Sequence, residues 1–258
     1  MNILFIGDIV GKLGRKALEI NVPILINKYK IDFIIANGEN ITNGKGISLT
    51  HYGFLKAHQI DAITLGNHYN HLEEIYSFIN NDDIIRPLNI KNEKEGAGSR
   101  VFEINGTKIR VTNLLGENTA KFEISDSYNS VLDILTNDDS DIHIIDFHAE
   151  YTGEKKAFAY SLKNSVSAVI GTHTHVQTRD YQKLSTGPLY ISDVGMCGLY
   201  DSVLGVEKDS VVERIIFKND NARFKQLNDG KTIFSAVVLR FEDITFKPLE
   251  IIPIYNVN

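Results

Sequence analysis

The sequence predicts an α/β protein with two central mixed β-sheets and helices on the outside. Over the first two thirds of the chain, short apolar runs alternate with helical patterns, which is typical of parallel βαβ construction. The last third is richer in strand patterns, and Asn105-Gly106 between two β-rich runs is a strong hairpin signal. A mostly parallel core with added antiparallel strands favours two sheets that pack against each other.

Strands are predicted where short apolar runs end at glycine or at polar residues. The core strands are expected at residues 3–7, 33–37, 62–65, 142–147 and 166–170. The hairpin occupies residues 100–115, and further strands are expected at residues 188–192, 233–241 and 245–254.

Helices are predicted between these strands, where apolar residues recur at helical spacing. Their approximate bounds are residues 15–30, 50–58, 72–79, 127–135 and 154–162. Pro23 should kink or split the first helix, because proline lacks a backbone donor and crowds the preceding turn. No repeat, low-complexity tract or linker interrupts the pattern, so residues 1–258 are expected to form a single domain.

The composition is that of an ordinary globular protein and excludes one class of partner. The chain has 258 residues, of which 43% are hydrophobic and 23% charged, and its net charge is −6. No run of lysine and arginine is long enough to hold the backbone of a long nucleic acid, although a single nucleotide is compatible with this charge. The oligomeric state is left open, including a homo-oligomer.

The cysteine content and the N-terminus indicate the compartment. The only cysteine, Cys197, cannot form an internal disulfide, which fits a reducing cytoplasm. The apolar start, MNILFIGDIVGK, lacks a basic segment and is interrupted by Asp8. It is too short to span a membrane and is interpreted as a strand rather than a signal peptide. We therefore expect a cytoplasmic protein with no membrane association.

Polar side chains of the kind that bind ligands follow all five core strands. They are Asp8 after Gly7, Glu39 and Asn40 after Gly38, Asn67 and His68 after Gly66, His148, and His173 and His175 after Gly171. In open α/β sheets, ligands bind outside the carboxyl ends of the strands, so these side chains should meet there. The preceding glycines let the chain turn sharply and approach a ligand closely.

This donor set favours a pair of metal ions. It contains only oxygen and nitrogen, which suits manganese, iron or zinc rather than an iron–sulfur cluster. Two carboxylates and three or more imidazoles exceed the needs of one tetrahedral zinc. Two ions about 3.5–4 Å apart, bridged by one carboxylate, would use them all, clamp a phosphoryl group and lower the pKa of bound water to roughly 7. His173 and His175, which share a face in a regular strand, would then serve different ions. Taken alone, GTHTHVQT is equally compatible with two solvated loop histidines.

Several motifs resemble one enzyme superfamily. Gly66-Asn67-His68 together with GTHTH at 171–175 resembles the calcineurin-like metallophosphoesterases. More closely, the chain is similar to the YmdB-type phosphodiesterases in GDIVG at 7–11, NGEN at 37–40, DFHAE at 146–150, GTHTHVQT at 171–178 and DVGM at 193–196. The superfamily's usual Asp-x-His is absent, since Ile9-Val10 follows Asp8, and Glu39-Asn40 matches the YmdB-type replacement.

The resemblance implies a calcineurin-like sandwich of four layers (α/β/β/α) and two divalent or trivalent metal ions per chain, usually iron or manganese. It implies that Asp8, Asn40 and His175 hold one ion, that Asn67, His148 and His173 hold the other, and that Glu39 bridges them. From the residues alone, Asn40 could instead cap a helix or turn. The implied substrates are small phosphodiesters, notably 2′,3′-cyclic nucleotides, attacked in line by a metal-bound hydroxide.

His68 has a separate predicted role as the general acid. It lies beside the ligand Asn67 and could protonate the leaving ribose oxygen, a step worth roughly 10²–10⁴ in rate. Many superfamily members carry an acidic residue directly after this histidine, whereas this chain has Tyr69. Glu73, Glu74 and Glu150 are the candidates to orient His68.

Two other functions fit the same residues. A phosphomonoesterase would use the same metals, and a non-catalytic regulatory protein could use the fold to bind metal or nucleotide. The remaining histidines are assigned to surface or packing (His51, His58), to the structural interior (His143) and to a helix start that could reach the site mouth (His71). Residues 43–46 could line that mouth. The glycine spacings match neither a P-loop nor a dinucleotide fingerprint.

Overall fold

The computed structural model describes residues 1–258, and its strands form two large sheets and one small hairpin. In chain order the strands are β1 (Asn2–Ile6), β2 (Asp8–Ile9), β3 (Phe33–Asn37), β4 (Ala62–Thr64), β5 (Ile84–Ile85), β6 (Ser99–Ile104), β7 (Thr107–Leu115), β8 (Ile142–His148), β9 (Ala168–Thr172), β10 (Gln182–Lys183), β11 (Leu189–Ile191), β12 (Met196–Leu199), β13 (Ser202–Val203), β14 (Val206–Glu207), β15 (Thr232–Phe241) and β16 (Pro248–Val257). The α-helices are α1 (Gly11–Tyr29), α2 (Leu49–Ala57), α3 (Ser127–Thr136), α4 (Thr152–Leu162) and α5 (Lys208–Val211).

Both large sheets are mixed, as predicted. The first has the order β2-β12-β15-β1-β3-β4-β5, and β16, which lies off this path, pairs antiparallel with β15. Within it, β1, β3, β4 and β5 are parallel and β15 is antiparallel to β1. The second has the order β10-β11-β9-β8-β7-β6, in which β7, β8, β9 and β11 are parallel and the β6–β7 hairpin is antiparallel.

The side chains of β1 show how the layers are built. Ile3 and Phe5 belong to a cluster of 19 buried residues between the two sheets. Leu4 and Ile6 point the other way, into a cluster of 25 buried residues beneath α1 and α2. A third cluster of 12 buried residues lies between the second sheet and the helices α3 and α4. The order of layers is therefore α/β/β/α. A strand buried on both faces needs apolar residues throughout, which is why these core strands are continuous apolar runs.

The first helix begins at Gly11, four residues earlier than expected. Of the two effects expected of Pro23, a kink or a split, the split does not occur, because the helix continues to Tyr29. Pro23 and Glu19, whose carbonyl loses its partner, both lie on the exposed side of α1, where water can bond to that carbonyl. The buried residues Leu18 and Val22 hold the helix against the first sheet.

The helix predicted at residues 72–79 was wrong in type. The chain there forms a 3-10 turn, Glu73–Ser77. Leu72 is half-buried, and Ile75 and Phe78 are buried, at a spacing of three residues. That spacing matches one face of a 3-10 helix, which has three residues per turn.

None of the helices combines the length and the apolar character needed to cross a membrane. The parallel strands β1, β3 and β4 of the first sheet end at the same edge as β8 and β9 of the second. The polar residues that follow these strands meet there.

Candidate metal centre

The predicted donor residues come together at this edge, from both sheets. Asp8, Glu39 and His148 are almost completely buried, with exposed fractions of 0%, 1% and 0%. One ligand atom each from Glu39, His148 and His173 lie within 4.8 Å of one another. The donor atoms divide into two groups.

His148 Nε2 is at the centre of the first group. Its distances are 3.0 Å to Asn67 Oδ1, 3.2 Å to Glu39 Oε1 and 3.0 Å to His173 Nδ1. All four atoms belong to residues that the sequence predicts as metal ligands.

The second group surrounds the amide of Asn40. Asn40 Nδ2 lies 3.3 Å from Asp8 Oδ1, 2.9 Å from Glu39 Oε1 and 3.3 Å from His175 Nε2. His175 Nε2 is also 3.6 Å from Asp8 Oδ1. Glu39 Oε1 thus contacts both groups. The backbone N–H of His173 donates to Asp8 Oδ2 at 3.2 Å, which ties the two groups together.

Asn40 presents its nitrogen, and not its oxygen, to the other donor atoms. Its Nδ2 carries hydrogens and donates to the two carboxylates, whereas its Oδ1 accepts from His68 Nδ1 at 2.9 Å. An amide nitrogen does not bind a cation, so ligation by Asn40 requires its amide to turn round.

Each of the three histidines has its second ring nitrogen held by an oxygen. His148 Nδ1 lies 2.9 Å from Thr172 Oγ1, His173 Nε2 lies 3.2 Å from Glu150 Oε2, and His175 Nδ1 donates to the carbonyl of Leu204 at 3.1 Å. Metal-binding histidines are typically oriented in this way by a carboxylate, a carbonyl or another oxygen.

The two histidines of GTHTH reach the site by a turn and not by strand alternation. Strand β9 ends at Thr172, one residue before His173. His173 and His175 then both have left-handed backbones, with φ of 98° and 65°. Both histidines lie at the site, His173 in the first group and His175 in the second, but the argument from a regular strand was wrong.

Gly66 borders a space that a larger residue would fill. A Cβ at this position would lie 2.3 Å from Glu39 Oε2 and 2.5 Å from His148 Nε2. The chain therefore needs glycine here to leave the donor atoms accessible to one another. A cluster of oxygen and nitrogen donors around a gap that excludes even a methyl group fits a metal centre.

The buried carboxylates remain ionised. Burial by itself would raise the pKa of Glu39, but the charge and hydrogen bond of His148 lower it to about 2. Burial likewise opposes ionisation of Asp8, yet the hydrogen bond and charge of His175 keep the pKa of Asp8 far below its usual range. Two buried negative charges favour a cation between them.

The pKa values of His148 and His173 shift in opposite directions, although the carboxylates raise both. Burial would lower the pKa of His148, but Glu39 and then Asp8 raise it to about 9. Burial and the neighbouring charge of His148 lower the pKa of His173 to about 3. Protonated His148 thus compensates the charge of the carboxylates. A metal ion would take over this role once His148 releases its extra proton.

His68 lies beside these donor residues, Asp8, Glu39, Asn40, Asn67, His148, His173 and His175 (the donor cluster), but is not one of them. Its side chain is 31% exposed, and its Nδ1 lies 3.6 Å from Glu39 Oε1 and 2.9 Å from Asn40 Oδ1. Its backbone N–H donates to Glu39 Oε2 at 2.9 Å. Asn40 and Glu39 therefore orient His68. None of the candidates Glu73, Glu74 and Glu150 does so, and Glu150 faces His173 instead.

The other histidines have partners outside the donor cluster. His51 contacts the hydroxyls of Thr42 and Ser48, at 2.7 and 3.0 Å from its Nδ1. His58 packs on the ring of Phe54. His71 reaches the site mouth, because its ring centroid is 4.4 Å from that of His68.

Four buried side chains around the site were not singled out from the sequence. Asp146, Thr172 and Asp193 lie within the matched motifs, which was the only signal for them. Lys155 lies on α4 and is fully buried, although a helical lysine is normally expected to face solvent. No local pattern could have indicated it.

Comparison with known proteins identifies the family. The family model described as YmdB-like protein matches residues 4–254. A 2′,3′-cyclic-nucleotide 2′-phosphodiesterase of Bacillus subtilis (strain 168) is 39% identical over 254 residues, which are 97% of this chain and 95% of that protein. A candidate phosphatase/phosphodiesterase of Mycoplasma genitalium is 44% identical over 212 residues, 80% of this chain and 75% of that protein.

A solved structure has the same fold. The crystal structure of a novel phosphatase from Mycoplasma pneumoniae is 36% identical and has a TM-score of 0.94, covering 100% of this chain and 93% of its own. The α/β/β/α layers confirm the predicted calcineurin-like sandwich. With a family match over residues 4–254 and a relative 39% identical over nearly its whole length, the chain belongs to the YmdB-like family.

Proposed function

We propose that this protein is a dinuclear-metal phosphodiesterase whose substrates are 2′,3′-cyclic nucleotides. The observation that carries the proposal is the position of Glu39 between the two groups of donor residues. Its Oε1 lies 3.2 Å from His148 Nε2 and accepts at 2.9 Å from the Asn40 amide, which also contacts Asp8 and His175. A carboxylate placed between two groups of oxygen and nitrogen donors is suited to serve a pair of metal ions. Membership of a phosphatase and phosphodiesterase family supports phosphoric ester hydrolysis, and the named activity of the Bacillus subtilis relative supports this substrate class.

In the proposed centre, Asp8, His175 and Asn40, the last after its amide has turned round, would hold one ion. Asn67, His148 and His173 would hold the other, and Glu39 would bridge them. Iron or manganese suits such donors, which include no thiolate. When bound, a pair of such ions lowers the pKa of water to about 7 and neutralises the charge of a phosphoryl group.

His68 would act as the general acid from its second ring nitrogen. His68 Nδ1 faces Asn40 and also lies 3.6 Å from Glu39 Oε1. Nε2 is therefore the atom left for the departing ribose oxygen, also when the Asn40 amide turns round to bind an ion. Burial lowers the pKa of His68, an effect that the charge of Glu39 partly offsets. A bound phosphodiester anion would raise this pKa and so favour the protonated, proton-donating form.

A phosphomonoesterase is the second candidate function, because the Mycoplasma pneumoniae structure is described as a phosphatase. A monoester dianion carries more negative charge than a diester, so it repels a hydroxide nucleophile more strongly. We therefore expect the diester activity to be the stronger one.

The test compares four substrates with protein loaded with manganese or iron. Activity on 2′,3′-cyclic AMP and bis-p-nitrophenyl phosphate should exceed activity on AMP and p-nitrophenyl phosphate. Elemental analysis should find two ions per chain, and Glu39→Ala should lose both ions and the activity. Preferred turnover of the monoesters would support the phosphomonoesterase. Two bound ions without any turnover would indicate a regulatory binding protein, and one ion per chain in the wild type would contradict the bridging role of Glu39.

A further inference from the structure

Thr172 connects the site to the interior of the sandwich. Its hydroxyl Oγ1 lies 2.9 Å from His148 Nδ1 and 2.6 Å from Asp146 Oδ1. Asp146 Oδ2 in turn accepts from Asn37 Nδ2 at 3.2 Å. All four residues are fully buried, so water cannot substitute for any of these contacts. The resulting chain of polar groups runs from β3 in the first sheet to His148 in the second.

The number of hydrogens on each group determines the donor and the acceptor in these hydrogen bonds. A threonine hydroxyl has one hydrogen and two lone pairs, and a carboxylate only accepts. The hydroxyl therefore donates to Asp146, and its lone pair accepts a hydrogen from His148 Nδ1. When His148 is neutral, its hydrogen is thus on Nδ1 and its lone pair is on Nε2. That Nε2 is the atom that faces Asn67 Oδ1, Glu39 Oε1 and His173 Nδ1.

The backbone of Thr172 is held independently of its hydroxyl. Thr172 is paired with His148 in the β8–β9 ladder. Its carbonyl also accepts from Lys155 Nζ at 2.8 Å. Loss of the hydroxyl would therefore leave the strand end in place and remove only the contact to the imidazole.

We propose that Thr172 is a positioning residue whose hydroxyl, itself held by Asp146, fixes His148 in the tautomer and orientation that bind a metal ion through Nε2. The inference rests on the proposed metal centre and concerns the affinity of one of its two ions. Removal of a partner of this kind typically weakens metal affinity by about 10–100-fold.

The experiment measures binding of Mn²⁺ to the metal-free protein, with the electron paramagnetic resonance signal of free Mn²⁺ as the readout. Thr172→Val, which keeps the shape of the side chain, should weaken one of the two binding events by about 10–100-fold and leave the other unchanged. Thr172→Ala should show the same loss, which covers the case that the valine variant does not fold. Thr172→Ser keeps the hydroxyl and should bind like the wild type.

A matched control is available in the same sheet. Thr112 is also fully buried on a strand, and its Oγ1 lies 2.9 Å from His143 Nε2. His143 is outside the donor cluster, so Thr112→Val should leave Mn²⁺ binding unchanged. The inference is overturned if Thr172→Val binds both ions with wild-type affinity, or if Thr172→Ser is as weak as Thr172→Val. A wild type that binds two ions but hydrolyses no phosphodiester would refute the proposed function alone.

Discussion

At the scale of single residues, the proposed acid and the proposed bridging ligand are in direct contact. The backbone N–H of His68 donates to Glu39 Oε2 at 2.9 Å, and the side chain of His68 donates to Asn40 Oδ1, also at 2.9 Å. The backbone contact does not depend on the imidazole. Replacing His68 by alanine should therefore remove the proton donor and keep Glu39 in place.

This arrangement leads to a prediction for His68→Ala. We expect it to retain both metal ions while turnover of 2′,3′-cyclic AMP falls by roughly 10²–10⁴, the usual range for a general acid. Bis-p-nitrophenyl phosphate should lose much less, because p-nitrophenolate needs little protonation to depart. Steady-state kinetics on both substrates and elemental analysis provide the measurements.

His58→Ala is the control for this prediction, since His58 packs on Phe54 in α2 and has no contact with the donor cluster. Equal losses on both substrates would show that His68 positions the phosphate rather than protonating the leaving group. Loss of one ion would make His68 a ligand.

Residue types and their order along the chain were enough to predict which side chains meet. Each follows a core strand, and the carboxyl ends of parallel strands share one edge. The partner that orients His68 was not predictable in this way. Acidic residues nearby in sequence were natural candidates, but Asn40 and Glu39, nearly 30 positions away, approach His68 through the pairing of β3 with β4.

At the scale of elements, the turn after β9 is held by a buried ion pair. Lys155 Nζ donates to the carbonyl of Thr172 at 2.8 Å and lies 3.0 Å from Asp193 Oδ2. Asp193 Oδ2 also accepts from the backbone N–H and the hydroxyl of Thr174, both at 2.8 Å. These contacts flank His173, whose left-handed backbone costs of the order of 1–3 kcal/mol in a residue that is not glycine.

Breaking this pair should destabilise the protein strongly. Lys155→Met leaves Asp193 buried without a counter-charge, which typically costs about 3–5 kcal/mol. The double variant Lys155→Met/Asp193→Asn removes that charge as well, so it should recover part of the loss. Urea unfolding of the metal-free proteins measures both changes. If Lys155→Met has wild-type stability, the pair does not hold the turn.

The left-handed turn also shows a limit of sequence patterns. Their spacing predicted that His173 and His175 belong to one site. The backbone that places them, however, depends on Lys155 and Asp193, which come from other elements. Such non-local contacts leave no periodicity in the sequence. Local chemistry was sufficient elsewhere, as in the predicted hairpin, where Asn105 and Gly106 have φ of 52° and 80°, as a type I′ turn requires.

At the scale of the whole molecule, the candidate centre joins the two sheets. Asp8, Glu39, Asn40 and Asn67 follow or belong to strands of the first sheet, whereas His148, His173 and His175 come from the second. Apolar contacts already hold the sheets together in the layer between them, and this part of the sandwich could be predicted from the continuous apolar runs. The strand expected at residues 188–192 is present as β11, but the short strands β10, β12, β13 and β14 were not predicted. Three of these four have only two residues, and the pairing of β12 depends on neighbours that are distant in sequence.

A centre that spans both sheets should stabilise the whole fold when it binds metal. A ligand that binds only the folded state adds about 2.7 kcal/mol at a concentration 100 times its dissociation constant. For a chain of this size, each kcal/mol raises Tm by about 2–4 °C. Mn²⁺ should therefore raise the Tm of the metal-free protein by several degrees, and a chelator should reverse the rise. Glu39→Ala lacks the proposed bridge and should show no rise, because neither ion would be held. An unchanged Tm in the wild type, or an equal rise in Glu39→Ala, would contradict a metal centre that uses Glu39 to connect the two sheets.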